Sequence, residues 1–243
     1  METKKLIHVY KPGKYGFADY LRAIYSIYHF AETNGYMYSI AFNHPIGDFF
    51  ENDTTEYETT AHSLQDLIPD AKHIVIESNY TDVTVPLPKG LIQRILKPKA
   101  ALLDSVEATM NRLKLRRGKF VILHARFGDE DRLDANNPFI GRIRKCLSII
   151  KIQRLPILML SSSQEVLNIF KGFPGIIITG NQPVHTVNGK SELNSLKNTV
   201  TEFYLMEHAK KIYNISGGTF GEGRSGFSYW ASVMFGVPFT HFD

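Results

Sequence analysis

Cysteine is nearly absent. Cys146 stands alone among 243 residues, which excludes an internal disulfide and any cysteine-rich metal site. Long apolar runs are missing as well: the longest, such as Ile157 to Leu160, fall far short of the ~20 residues that cross a bilayer. No repeat or low-complexity tract interrupts the chain. With 43% hydrophobic and 21% charged residues, the composition excludes disorder, collagen and coiled coil as the main state. Met1-Glu2-Thr3-Lys4-Lys5 leads into a strand-like segment with no apolar h-region or cleavage site. The expectation is a cytoplasmic protein without a transmembrane segment. The N-x-S/T triplets at Asn52, Asn79 and Asn214 carry no weight without a secretion signal.

What is present is a modest and unevenly placed positive charge. The net is +4, yet Lys89 to Lys119 holds nine bases against Asp104 and Glu107, and Gly141 to Arg154 holds five bases and no acid. These runs read either as solvated helix faces or as the mark of a phosphate-bearing partner. Aromatics do not interleave with the bases in a nucleic-acid signature, so a phosphorylated small molecule is preferred to DNA or RNA.

Apolar runs alternate with segments of helical period, the pattern of a parallel-sheet α/β protein. Strands are expected at Leu6–Tyr10, Tyr38–Phe42, His73–Glu77, Phe120–Leu123, Ile157–Leu160, Ile176–Ile178 and Ile212–Ile215. The last four are continuously apolar, as strands covered on both faces require. Leu21, Ile24, Tyr28 and Ala31 share one helix face, and Leu103, Val106, Met110 and Leu113 another. Further helices are expected over Gly141–Lys151, Gln164–Phe170 and Asn198–Lys210. A last helix from about Ser225 would bury Phe227, Trp230, Met234 and Phe235. Pro86, Pro88 and Pro98 make Thr81–Lys99 unsuitable for a continuous helix or central strand. The expected organisation is two Rossmann-like lobes, residues 1–97 and 98–243, joined by a linker near 86–98 and facing a central cleft.

Three strand-to-helix loops carry candidate chemistry. In the first, the apolar run ending at Leu123 meets His124-Ala125-Arg126-Phe127-Gly128-Asp129. Ligands of open α/β sheets bind beyond the carboxyl ends of strands, where these side chains would emerge. An arginine there can grip a diphosphate with two donors and neutralise charge growing on a leaving group. Equally, Arg126 can pair with Asp129, and His124 can be a hydrogen-bonded core histidine. The second loop, Ser216-Gly217-Gly218-Thr219-Phe220-Gly221-Glu222-Gly223-Arg224-Ser225-Gly226, opens a helix whose free N–H groups suit a phosphate. It lacks the lysine of a P-loop. The bland alternative is a flexible turn with Ser225 as N-cap. The third, Gly13-Lys14-Tyr15-Gly16-Phe17-Ala18-Asp19, is either a further ligand loop or a capping turn with Asp19 at the helix start.

His124-Ala-Arg126-Phe-Gly128-Asp129 resembles the H-x-R-R-G-D or H-x-R-x-G motif of the fucosyltransferase superfamily with the two-lobed GT-B fold. Lys14-Tyr-Gly16-Phe-Ala-Asp19-Tyr-Leu-Arg22 is similar to that group's N-terminal G-x-x-G-N-Q loop. Ser225-Gly-Phe227-Ser228-Tyr-Trp230-Ala231 resembles its S-S-F-S-W-W-A segment. The three segments occur in the family's order across nearly the whole chain. Where the doubled motif has a second arginine this sequence has Phe127, as in the single-arginine protein O-fucosyltransferase pattern, which reduces charge compensation.

The resemblance implies a metal-independent, inverting glycosyltransferase moving fucose or a related deoxyhexose from a nucleoside-diphosphate donor, GDP-linked by preference, to a glycan hydroxyl. On that footing Arg126 would drive leaving-group departure. His124, Gly16, Arg22, Ser161, Ser162, Glu202, Arg224, Ser225, Gly226, Phe227 and Ser228 would bind the donor, with Ser163 near the nucleoside. Asp19 is the first candidate for a base at the acceptor, ahead of His44 and Asp48. Asp129-Glu130-Asp131 formally matches a D-x-D metal motif, but its place directly after Arg126 favours an orienting role for Asp129. No metal or other cofactor is expected, and no nucleic-acid partner. The rival readings are a non-catalytic nucleotide-sugar or glycan-binding module, with Phe127 as its mark, and a nucleotide-binding subunit of a larger assembly.

Overall fold

A computed structural model of the chain describes residues 4–11, 16–51, 60–63, 66, 71–78, 90–128, 133, 137–182, 192–217 and 223–242. Two compact units divide it, residues 1–101 with 185–197 and residues 102–184 with 198–243.

The first unit begins with β1 (Lys5–Tyr10), α1 (Phe17–Thr33), β2 (Met37–Phe42) and β3 (Phe50–Glu51). It continues with β4 (His73–Glu77), α2 (Leu91–Ile95) and β5 (Lys97–Pro98). β1 is the central strand of a three-stranded sheet and runs parallel to β2 and β4. Parallel neighbours need a crossover, and α1 supplies the one between β1 and β2. Leu6, Ala23, Ile27, Ala31, Ile74 and Ile76 close the core beneath it. Of the expected α1 stripe, Leu21, Ile24 and Ala31 are fully buried, whereas Tyr28 reaches solvent beside Glu32.

One polar residue interrupts this core. His8 lies within 2.9 Å of the Tyr38 hydroxyl and 2.5 Å of the Ser78 carbonyl. Burial pushes its pKa down to about 3, so it is neutral at ordinary pH. The segment read as linker carries structure of its own: α2 forms over Leu91–Ile95, and β5 pairs antiparallel with β3, Pro98 opposite Phe50. Proline is tolerated there because a two-residue ribbon needs few donors.

The second unit adds α3 (Ala100–Arg112), β6 (Val121–Arg126), α4 (Pro138–Ile150), β7 (Ile157–Ser161), α5 (Gln164–Phe170) and β8 (Ile176–Ile178). After them come α6 (Leu193–Leu205), whose residues up to Lys197 belong to the first unit, β9 (Lys211–Ser216), α7 (Gly226–Phe235) and β10 (Phe239–Phe242). Its five strands are all parallel, in the order β10-β9-β6-β7-β8. The expected α/β class with parallel sheets is therefore correct. Among the described residues no helix is long and apolar enough to cross a membrane.

Several boundaries differ from expectation for local reasons. In α3 the buried positions are Leu102, Val106 and Met110, an i, i+4, i+8 row, while Leu103 is exposed. α4 starts at Pro138, not Gly141, because Asn137 caps it through Phe139 N–H (3.0 Å) and proline suits the first helical position. α6 stops at Leu205 and gives way to a 3₁₀ turn over Met206–His208. β10 had no counterpart in the sequence reading; Gly236, at φ +68°, ends α7 and lets the chain turn back into the sheet.

Alternation along β6 decides which side chains can meet a ligand. Val121, Leu123, Ala125 and then Phe127 point to one face, into a core with α4 and α5 that includes Phe139, Ile143, Leu147, Val166 and Phe170. Ile122, His124 and Arg126 point to the opposite face.

Candidate functional site

The carboxyl ends of β6, β7 and β9 meet at one edge of the five-stranded sheet, with Ala125 beside Ser161 and Arg126 beside Ser216. Here the sequence places a cation and a cluster of hydroxyls, amides and imidazoles. Most of the small polar groups are satisfied by one another. Ser161 Oγ donates to Ala125 O (2.7 Å) and accepts from Ser163 N–H (3.1 Å). Ser162 Oγ accepts from Phe127 N–H (3.2 Å) and donates to Phe127 O (3.0 Å). Ser163 caps α5. These serines thus brace the chain directly after Arg126, which is itself half-buried.

His124 is buried, with Ser228 Oγ 3.0 Å from its Nδ1 and the Phe227 ring centroid 5.6 Å from its own. Burial first, and then the Arg126 guanidinium, hold its pKa down at about 3. His124 is therefore a neutral hydrogen-bonding group held against the first turn of α7. The Arg126 effect also reports that the cation lies close to it. Phe227 packs on Phe203 of α6, with ring centroids 5.2 Å apart.

Asn214 was missed by the sequence reading. Fully buried on β9 opposite His124, it donates to His124 O (3.1 Å) and accepts from Ser225 N–H (3.2 Å) and His241 Nδ1 (2.8 Å). One side chain thus joins β6, β10 and the start of α7. Its signal was available: a buried strand has no use for an asparagine unless its amide is bonded.

The loop after β9 separates into two parts. Gly217 donates to Arg126 O (2.9 Å), and a Cβ at this position would overlap the Phe139 ring. Its glycine is required by packing whatever binds nearby. Ser225 is the N-cap of α7, but its hydroxyl makes no capping hydrogen bond. Ser225 thus occupies the N-cap position without capping through its hydroxyl, and the first-turn N–H groups of α7 receive no side-chain bond from it. Gly226 is the first residue of that turn. Arg224 is exposed and stacks over the Tyr229 ring at 4.3 Å. Gly218, Thr219, Phe220, Gly221 and Glu222 lie outside the described residues, as do Asp129, Glu130 and Asp131 with their orienting and D-x-D readings.

Phe127 needs a different account from the one its sequence position suggested. It is 2% exposed and stacks on Phe139 with ring centroids 5.0 Å apart. Being on the α4/α5 face, it is a core residue and not a vacant arginine position beside Arg126.

Glu202 forms a separate cluster on α6, bonded by Thr179 Oγ1 (2.5 Å) and Asn181 Nδ2 (3.1 Å) just beyond β8. Burial raises its carboxyl to about 7, opposed by those two hydrogen bonds. In the first unit, Gly16 N–H donates to Asp19 Oδ2 (3.1 Å) at the start of α1. Burial raises the Asp19 pKa, against the Gly16 bond and the Arg22 charge. His44 caps the 3₁₀ turn Pro45–Phe49 through Ile46 N–H (3.0 Å), and Asp48 is exposed on it. Gly13, Lys14 and Tyr15 lie outside the described residues. No trio of His, Cys, Asp or Glu among the described residues is arranged to hold a metal.

Comparison with known proteins places this architecture. No family model and no curated protein sequence matches the chain. Solved structures do. NodZ α-1,6-fucosyltransferase co-crystallised with GDP is similar at 15% identity, covering 99% of this chain and 96% of that one, with a TM-score of 0.64. Fucosyltransferase NodZ from Bradyrhizobium gives 14%, 99%, 96% and 0.62. A variant of Arabidopsis thaliana FUT1 in complex with GDP gives 13%, 98% of this chain, 71% of that chain and 0.62. POFUT1 in complex with GDP gives 11%, 100%, 99% and 0.59. The chain shares its α/β fold with these fucosyltransferase structures.

Proposed function

We propose that this protein is a glycosyltransferase that moves fucose or a related deoxyhexose from a GDP-linked donor to a glycan hydroxyl, with inversion and without a metal. The observation that carries the reading is Arg126 at the carboxyl edge of a sheet whose fold is that of fucosyltransferases solved with GDP. The chemistry follows from where charge develops. As the bond from the sugar anomeric carbon to the diphosphate oxygen breaks, the sugar gains oxocarbenium character and the diphosphate gains negative charge. A guanidinium held beside that oxygen lowers the barrier because it is already oriented.

The remaining residues act around that event. Neutral His124, positioned by Ser228 and Phe227, offers a hydrogen bond without adding charge. Gly226 and its neighbours in the first turn of α7 offer N–H groups to a phosphate, with Ser225, Phe227, Ser228 and Arg224 around them. The backbone beside Arg126 is braced by Ser161 and Ser162. Guanine presents N–H donors on one edge, and Glu202 is a carboxylate able to accept them; in this reading it selects the base. Residues 1–97 form the acceptor side and residues 98–243 the donor side. Asp19, its pKa raised by burial, takes the acceptor hydroxyl proton; Gly16 N–H bonds that carboxylate and the Arg22 charge acts on it, and both residues are also assigned to the donor.

Phe127 does not favour the non-catalytic alternative, because a core phenylalanine is not evidence of a lost arginine. The test is release of GDP from GDP-fucose, run beside UDP- and dTDP-sugars and with the Arg126→Ala variant. Release confined to the GDP donor, lost in the variant and insensitive to EDTA, is expected. Donor binding without transfer or hydrolysis would support the binding module. Activity lost to EDTA and restored by manganese would overturn the metal-free mechanism.

A further inference from the structure

The opposite edge of the same sheet carries a surface that glycosyl transfer does not use. Because all five strands are parallel, every residue just before a strand lies at the amino edge. Backbone hydrogen bonds tie these approaches together: Val121 N–H to Pro156 O (3.0 Å), Ile157 N–H to Gly175 O (3.0 Å) and Lys210 N–H to Phe120 O (2.8 Å). Arg116 and Lys119 precede β6, Lys151 and Arg154 precede β7, Lys171 precedes β8 and Lys210 precedes β9; all six are exposed. Against them stands one exposed acid in these approaches, Glu207, while Arg117 is taken up by Glu107.

Among these cations two isoleucines stand in solvent. Ile149 at the end of α4 is 46% exposed, and Ile152 in the following 3₁₀ turn is 78% exposed. Their spacing of three residues puts them side by side. A single exposed isoleucine needs no explanation, but an adjacent pair within a cationic rim has a specific physical fit. The basic run Gly141–Arg154, which the donor site leaves unused, ends here.

We propose that the amino edge of the five-stranded sheet docks onto an anionic lipid bilayer, as a peripheral attachment. The cations are drawn to the negative surface potential, and Ile149 and Ile152 enter the headgroup–acyl boundary. A nucleic acid would satisfy the charges equally but has no use for the isoleucine pair. The edge consists of short turns around Pro156, Pro174 and Gly175, which present the ends of strands. The surface is independent of the proposed transfer, since none of its residues contributes to the donor site.

The test is co-sedimentation of the whole protein with phosphatidylcholine vesicles with and without about 30 mol% phosphatidylserine. Binding confined to the anionic vesicles is expected. It should weaken at least ~10-fold in Ile149→Ser/Ile152→Ser, in Lys151→Glu/Arg154→Glu and at about 0.5 M salt. Attachment of an environment-sensitive dye at Ile152→Cys provides a second readout, because Cys146 is buried and will not compete. Its emission should shift blue on anionic vesicles. No binding above phosphatidylcholine alone, an unshifted dye, or loss on charge reversal with no effect of the isoleucine changes would overturn the proposal. So would an RNA oligonucleotide that displaces the protein from vesicles.

Discussion

At the carboxyl edge of the five-stranded sheet, most polar side chains are turned inward and bonded to neighbouring groups, whereas at the amino edge charged ones stand in water beside exposed isoleucines. His124, Asn214, Ser161 and Ser228 are all buried and partnered. Lys151 and Arg154 are exposed on turns. Two edges of one sheet therefore use polarity for different ends. The first spends side chains on holding Arg126 and the start of α7 in one geometry, which favours recognition of a small ligand. The second presents charge without geometry, which favours a broad surface. Charge counting along the chain would have ranked them the other way round.

The largest effect that would break this comparison comes from Phe127→Arg. If residue 127 faced the ligand edge, a second arginine there would strengthen donor binding. Since the side chain is buried against Phe139, we expect a loss of about 4 kcal/mol or failure to fold, read as a lower urea midpoint. Arg126→Ala comes next: GDP release should fall about 100- to 1,000-fold with the thermal midpoint nearly unchanged. A variant that loses stability and keeps activity would mean that Arg126 is structural.

Asn214→Ala should cost about 2 kcal/mol, because it strips partners from His124 O, Ser225 N–H and His241 at once. It should also weaken GDP binding, since the start of α7 loses its tie to β9. Asn214→Asp restores the acceptor but not the donor, and separates these two losses.

Two groups give stability a pH dependence of opposite sign. His8 and His124 stay neutral in the folded state down to about 3, whereas unfolded histidine protonates near 6.5. Their contribution is complete above pH 6.5 and is lost as pH falls toward 3. Glu202, raised from 4.5 to about 7, works the other way, costing stability as pH rises through that window. Glu202→Gln should remove the part of the urea-midpoint profile that falls between pH 4.5 and about 7, and relax the preference for GDP. The smallest effect belongs to Lys151→Glu/Arg154→Glu, which should change stability by less than about 0.5 kcal/mol and GDP release not at all.

How much was legible differs between the two halves of the argument. Strands such as β6, β7 and β9 announced themselves because burial on both faces demands continuous apolar runs. The His124-x-Arg126 pair could be placed at a strand end for the same reason. Phe127 could not be interpreted, because its role depends on the face of β6 that α4 covers. Nor did the serines at the end of β7 reveal that their hydroxyls would be used on the backbone at the end of β6, a neighbour in space 35 to 36 residues away. β10 is four residues of mixed polarity behind a glycine, too short for periodicity to show.

The sequence by itself determined the α/β class, the parallel strands and the strand end that bears Arg126, because these rest on local hydrophobic pattern and on motif order. Only the tertiary structure decided that His124 is neutral, that Asn214 holds the edge together, and that Gly217 and Phe127 answer to Phe139. Those facts depend on desolvation and on hydrogen bonds between residues far apart in the chain. Desolvation leaves no mark on the identity of a single residue, and a distant hydrogen bond leaves only a partial one, as the asparagine in β9 does without naming its partners.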